Sequence, residues 1–251
     1  MFRTNELENK VAVVTGTTRG IGKAIALGLA EAGASLALIQ RSENDETKRE
    51  VEQYGVPCKI FNCDLSKPEE VREVIPKVVE KFGTVDILVN NAGVQRRHPA
   101  VEFPESDWDE VLNINLKAVW ILCQEAGKVM TAKNSGKIIN IASLVSFQGG
   151  ITVPAYTSAK GAVGQLTKAL ANEWSSKGVN VNAIVPGYIA TDMNDALIND
   201  PVRSRQILER IPADRWGAPE DFIGPALFLA SSASEYVHGH LLAVDGGWLG
   251  R

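Results

Sequence analysis

Cysteine and histidine are scarce in this chain of 251 residues: Cys58, Cys63 and Cys123, with His98, His238 and His240. An odd cysteine count without a framework spacing excludes a disulfide-stapled fold, and the thiols read as reduced, as in a cytosolic protein. Cys58 and Cys63 stand five apart, which fits no standard zinc spacing. His238 and His240 would share one strand face, but no third ligand is near in sequence, so metal-free chemistry is expected. Basic excess is also missing. Against 26 Lys and Arg stand 30 Asp and Glu, a net charge of -4, which excludes a strongly basic protein built to coat nucleic acid. No apolar run approaches the ~20 residues a membrane span needs. Met1 to Lys10 carries charges and no apolar core, so no secretory signal is read there. The expectation is a cytoplasmic protein with neither membrane nor nucleic-acid partners.

What the chain does have is an ordinary globular composition, 45% hydrophobic and 22% charged, patterned from end to end. Short β-branched runs of the buried kind alternate with stretches of helical periodicity. Strands are predicted at Lys10–Thr15, Ser35–Gln40, Pro57–Asn62, Val85–Val89, Lys137–Ile141, Val179–Val185 and Leu241–Val244. Between them, helices are predicted at Gly20–Ala32, Glu43–Tyr54, Pro68–Phe82, Trp108–Lys133, Ala155–Ser176 and Pro219–Ser231. Gly33, Gly83 and Gly178 act as stops. A less regular stretch, 187–215, carries a further helix. This alternation predicts an α/β fold: a seven-stranded parallel sheet, doubly wound, with helices on both faces. No low-complexity linker or composition break divides it, so 1–251 reads as one domain, with 187–215 as its substrate-side region.

Between the first strand and the first helix stands Gly16-Thr17-Thr18-Arg19-Gly20-Ile21-Gly22, spaced Gly-x3-Gly-x-Gly. Glycines there let the backbone approach a pyrophosphate, while the helix N-terminus offers unpaired N–H groups and partial positive charge. About 20 residues onward, folds of this kind place the residue that reads the adenosine ribose. An acid at position 40 would bind the ribose hydroxyls and repel a 2′-phosphate. Gln40 does not repel, and Arg41, with Arg19, is suited to pair a phosphate. NADP(H) is therefore favoured over NAD(H).

Further chemistry-bearing residues gather at strand ends. Asn90-Asn91-Ala92-Gly93 follows the fourth strand, and Ser143 follows the fifth. These are C-terminal ends, where open parallel sheets bind ligands. Tyr156 and Lys160 are four apart and share a helix face. A tyrosine of ordinary pKa, about 10, is a poor base. A nearby ammonium and a cationic nicotinamide would both favour the phenolate, so a lowered pKa is expected.

In combination these motifs resemble the short-chain dehydrogenase/reductase family over about Leu7 to Trp248. The resemblance implies a Rossmann-type domain, usually a homotetramer. It implies Tyr156 as the catalytic acid/base and Lys160 as its activator and nicotinamide-ribose ligand. Ser143 would orient the carbonyl, and Asn115, preferred over Asn113, would anchor a relay water. It further implies cofactor contacts at Gly16, Thr18, Arg19, Gly20, Ile21, Gly22 and Arg41, and at Tyr156 as well as Lys160. Asp64 and Leu65 would lie near the adenine, and Asn91, Ala92, Gly93, Pro186, Gly187, Ile189 and Thr191 along the rest.

Several stretches resemble one branch, the 2-dehydro-3-deoxy-D-gluconate 5-dehydrogenases, also described as 2-deoxy-D-gluconate 3-dehydrogenases. They are Asn90–His98, Ser146–Ile151, Ile211–Gly217 and Val244–Trp248. That likeness implies a linear sugar-acid substrate touching Ser143 and Tyr156, with Gln95, Arg96, Arg97 and Gln148 beside it. Arg96 and Arg97 are suited to pair its carboxylate. A gluconate 5-dehydrogenase or a 3-oxoacyl thioester reductase would share the catalytic set. A catalytically silent nucleotide-binding regulator would be expected to lack the tyrosine or the lysine.

Overall fold

Seven parallel strands form one sheet in the order β3-β2-β1-β4-β5-β6-β7. The computed structural model describes residues 6–42 and 44–251. Met1 to Asn5, and Glu43 at the start of the expected second helix, lie outside the described residues. The strands are β1 (Val11–Thr15), β2 (Ser35–Gln40), β3 (Cys58–Asn62), β4 (Ile87–Asn90), β5 (Gly136–Ile141), β6 (Val179–Pro186) and β7 (Leu241–Val244). The helices are α1 (Gly20–Glu31), α2 (Glu46–Glu52), α3 (Pro68–Phe82), α4 (Glu105–Leu112), α5 (Ala118–Ala132), α6 (Pro154–Trp174), α7 (Asp195–Ile198), α8 (Pro201–Leu208) and α9 (Ile223–Ala230).

Alternation within the strands builds two cores, because successive strand residues point to opposite faces. Val13, Ala37, Leu88, Ile138 and Val181 face α3, α5 and α6. Ala12, Val14, Leu36, Leu38, Val89 and Ile139 face α1 and α9. Every residue of β1 is buried. That is why these strands read as continuous apolar runs rather than as half-polar ones.

The strand order sets the position of the ligand cleft. From β1 the chain winds outward through β2 and β3, then returns to β4 on β1's other flank. Loops leaving β1 and β4 therefore diverge and open a crevice at their C-terminal ends, the switch point at which doubly wound sheets bind ligands.

Three helical expectations need correction. The predicted Trp108–Lys133 helix starts earlier, at Glu105 just after Pro104, with Glu105 and Asp107 suited to the positive end of the dipole. It is also broken by a π-turn at Asn113–Lys117 before α5 begins. The second helix starts at Glu46: Asn44 O accepts from the Gln40 amide at 2.5 Å, and Asn44 Oδ1 accepts from Glu46 N at 2.9 Å. The predicted Pro219–Ser231 helix divides into a 3-10 turn, Pro219–Phe222, and α9.

Within 187–215 the chain forms a 3-10 turn at Asp192–Asn194, then α7 and α8. Asp200 caps α8, accepting from Val202 N at 2.9 Å and Arg203 N at 3.1 Å, with Pro201 in its first turn.

Candidate active site

One open cleft of about 1420 Å³ runs along the C-terminal rim of the sheet. At its nucleotide end, Thr15 and Asn91 stitch β1 to β4. The Thr15 hydroxyl accepts from Asn91 N at 3.0 Å and Ala92 N at 2.9 Å. The Asn91 amide donates to Thr15 O at 3.0 Å and Gly16 O at 3.2 Å. Two glycines leave no room for a side chain. Gly16 has φ +71°, and a Cβ on Gly22 would stand 2.2 Å from Gly16 O. The N-terminus of α1 has no side-chain cap and no acid in its first turn, so its N–H groups keep their capacity for an anion. These features fit the pyrophosphate of a dinucleotide.

The expected reader of the ribose end is placed differently from its sequence reading. Gln40 is buried, accepts from the Thr17 hydroxyl at 3.1 Å and donates to Ser42 O and Asn44 O, so its amide is directed inward. Arg41 and Ser42, both exposed, stand at the cleft edge instead. Asp64 and Leu65 line the same end. Hydrogen bonds from Ser66 N and Oγ hold the Asp64 carboxyl below its usual range.

At the centre, α6 carries Tyr156 and Lys160 one turn apart, and Ser143 caps the short turn after β5. Lys160 is 3% exposed, and its ammonium donates to Ile141 O at 2.6 Å. It lies 5.8 Å from the Tyr156 ring centroid. Burial pulls the Lys160 ammonium down to about 8. The Tyr156 phenol is raised rather than lowered: burial outweighs the hydrogen bond from Ser143 and the charge of Arg97. With the ammonium hydrogen-bonded to a backbone carbonyl, burial sets this direction in the chain alone; the lowered pKa expected beside a cationic nicotinamide concerns the loaded cleft.

Most of the residues singled out by sequence line this cleft together. Thr18, Arg19, Gly20, Ile21, Ala92, Gly93, Pro186, Gly187, Ile189 and Thr191 do so alongside those above. Gly22 and Asn115 do not; each sits one layer behind. Asn115 is fully buried in the π-turn, where its amide clasps Val94 N and Val94 O, each at 2.8 Å. The extra residue of a π-turn re-aims that side chain toward the 93–95 loop.

The substrate end departs further from expectation. Gln95, Arg96, Arg97 and Gln148 are all present. Arg96, however, is already paired with Glu110 at 2.7 Å, which removes it as a free carboxylate ligand. Sequence reasoning missed the opposite wall, formed by Tyr188, Arg203, Gln206, Arg210 and Trp248. The signal for Trp248 was its place just beyond the C-terminal end of β7, at the ligand rim. Among the described residues no cluster of three or more His, Cys, Asp or Glu is placed to hold a metal. No described helix is long and apolar enough to cross a membrane.

Comparison with known proteins places this cleft among relatives. Residues 16–249 match the family model described as enoyl-(acyl carrier protein) reductase. A 2-dehydro-3-deoxy-D-gluconate 5-dehydrogenase of Pseudoalteromonas atlantica is 54% identical over 254 residues, covering 100% of both chains. An NADP-bound structure from Agrobacterium tumefaciens, provisionally described as a 2-deoxy-D-gluconate 3-dehydrogenase, is 50% identical. It superposes with a TM-score of 0.92 over 99% of this chain and 100% of its own. A gluconate 5-dehydrogenase of Burkholderia cenocepacia, in complex with NADP and tartrate, is 39% identical with a TM-score of 0.93, covering 98% of this chain and 97% of its own. With that likeness running the full length of the sheet and its ligand rim, the chain belongs to the short-chain dehydrogenase/reductase family.

Proposed function

We propose that the chain is an NAD(P)-dependent oxidoreductase that interconverts a secondary alcohol and a ketone on a linear deoxy or keto sugar acid. The type is that of the 2-dehydro-3-deoxy-D-gluconate 5-dehydrogenases or 2-deoxy-D-gluconate 3-dehydrogenases. The carrying observation is the convergence of Ser143, Tyr156 and Lys160 on the cleft beside the glycine turn. The end-to-end likeness to a dehydrogenase of that substrate class supplies the substrate.

A nicotinamide cofactor, when bound, would supply or accept the hydride. The Gly16–Gly22 backbone and the α1 N-terminus would hold the pyrophosphate, and Asp64 and Leu65 the adenine side. Gln40 leaves the ribose end free of a carboxylate, and Arg41 is exposed beside it, which supports a preference for NADP(H). NADP in the Agrobacterium and Burkholderia structures agrees with that preference. In reduction Tyr156 gives its phenol proton to the ketone oxygen, which Ser143 orients. In oxidation the same group takes the proton back. A raised pKa keeps Tyr156 protonated at neutral pH, the form reduction needs, so oxidation gains as pH rises. Lys160, charged below about 8, would bind the nicotinamide ribose and favour the phenolate as it forms. Asn115 is read as the anchor of the proton relay, through the Val94 backbone it clasps.

Residues 1–251 are read as one catalytic domain, with 187–215 as its substrate-side region. It would work in the cytoplasm as a homotetramer, in keeping with the family resemblance; size-exclusion chromatography decides the assembly.

The test follows NAD(P)H absorbance with both cofactors against keto-deoxy sugar acids, 5-ketogluconate and an acetoacetyl thioester. Fast turnover of a keto-deoxy acid supports the reading. Turnover of the thioester alone would retain the chemistry and discard the substrate. A higher kcat/KM with NADH than with NADPH would remove the role given to Gln40 and Arg41.

A further inference from the structure

A sugar acid needs a partner for its carboxylate, and resting on the reading above, the arginines of the cleft can be told apart by what already holds them. Arg96 is taken by Glu110. Arg97 is close enough to the Tyr156 phenol to act on its charge, so it belongs to the reacting end. Arg203 donates to Gln206 Oε1 at 3.0 Å. Arg210 differs from Arg96 and Arg203 in having no polar partner, and from Arg97 in lying over an aromatic ring. Among the described residues its guanidinium has no ion-pair partner and makes no hydrogen bond. Instead it lies 4.1 Å from the centroid of the Trp248 ring.

That ring is a fixed platform. Trp248 is 4% exposed, its Nε1 donates to Gln148 Oε1 at 3.3 Å, and the Tyr188 ring packs 4.7 Å from it. The backbone around it is closed as well, with Ala213 N donating to Gly246 O at 2.9 Å. Arg251 Nη1 donates to Glu209 O at 2.9 Å, tying the chain end to the residue before Arg210. A guanidinium covered on one face by an indole keeps its in-plane N–H fork open, the geometry that grips a carboxylate with two parallel hydrogen bonds.

We propose that Arg210, held over the Trp248 ring, anchors the substrate carboxylate, so that the acid end lies against the C-terminal wall while the carbon to be oxidised or reduced lies at Tyr156. The anchor binds the acid equally before and during reaction, so it sets KM rather than kcat.

The test compares wild type with R210A and R210K on the keto-deoxy acid and on its neutral carboxamide. R205A is the control, since Arg205 lies on α8, just before Arg210 in the chain, in an exposed pair with Glu209 and outside the cleft. R210A is expected to raise KM for the acid by about 10- to 100-fold, with kcat and the NADPH Kd nearly unchanged. KM for the carboxamide should stay put. R210K, which keeps the charge and loses the fork, should fall between. Unchanged KM for the acid, or an equal rise for the carboxamide, overturns the anchor. Should wild type turn over none of these acids, the functional reading fails, and calorimetry on the NADP-loaded protein still decides Arg210. Gluconate bound by wild type and lost in R210A, with sorbitol bound by neither, supports it. Gluconate that binds both proteins alike, or neither, overturns it.

Discussion

The two ends of the cleft are built from different materials. The nucleotide end is mostly backbone: a glycine turn, an uncapped helix N-terminus and half-buried hydrogen bonds of Thr15 and Asn91 that lock β1 to β4. The substrate end is mostly side chains, hung on the short helices α7 and α8 and on a 3-10 turn at the chain's end. Arg97, Arg203 and Arg210 are all exposed there. A backbone site is as rigid as the sheet that sets it and tolerates little change. A side-chain site can be altered one residue at a time without disturbing the fold. The two ends should therefore respond differently to substitution, with the catalytic centre between them.

The centre should show the largest effect. Tyr156→Phe removes the proton and little volume, so turnover should fall by about 10²- to 10⁴-fold. Cofactor titration should give an unchanged Kd. Near-normal turnover would remove Tyr156 from the chemistry altogether.

At the nucleotide end, Gly22→Ala places a Cβ 2.2 Å from Gly16 O, a backbone atom that cannot rotate aside. The loop must move, and the expected losses are about 1–3 kcal/mol of stability and at least about tenfold in cofactor affinity. Thermal melts and fluorescence titration read the two separately. Normal cofactor binding in G22A would mean that the turn is not the phosphate site, and the contrast between the two ends would collapse.

The same contrast explains what could be read from the sequence. β2, β7 and α3 begin and end where their patterns placed them, because the burial of β2, the glycines flanking β7, and Pro68 with Gly83 at the ends of α3 act locally. The glycine turn and the Tyr156–Lys160 spacing are local for the same reason. Asn115 was named, but nothing in Asn113-Ile114-Asn115 announces a π-turn, whose extra residue is set by tertiary closure on Val94. Arg96 looked free because Glu110 is distant in sequence and reaches it only once α4 packs. The Arg210–Trp248 stack joins residues that meet only when the end of the chain folds back on α8. Side-chain sites made of such long-range meetings leave little periodic trace.

Lys160 tests the centre through stability alone. Its folded pKa, about 8, lies below the ordinary 10.5, so between those values the unfolded chain binds more protons than the folded one. Stability from this group therefore rises with pH across that window. Relative to K160M, cofactor-free wild type should gain on the order of 3 kcal/mol between pH ~8 and ~10.5. Comparing the two melts across pH cancels the titration of exposed groups such as Lys67. A flat difference would show that water reaches the ammonium and that the centre is less enclosed than its burial implies.

The smallest expected effect lies where the two ends touch. Arg19, at the start of α1, pairs with Asp192 of the substrate-side segment at 3.0 Å, with side chains 76% and 61% exposed. An exposed pair of this kind contributes about 0–1 kcal/mol, so Asp192→Asn should hardly move the melting temperature. Its effect on binding has a definite sign if the ends are independent. Arg19 released from Asp192 is free for a cofactor phosphate, so D192N should bind NADPH about two- to threefold more tightly at low salt. The gain should vanish at high ionic strength, where exposed charges are screened. Weaker binding in D192N would reverse the argument: the carboxylate would then be holding the 191–194 segment in place against the nucleotide end, and the cleft would respond to substitution as one unit rather than two.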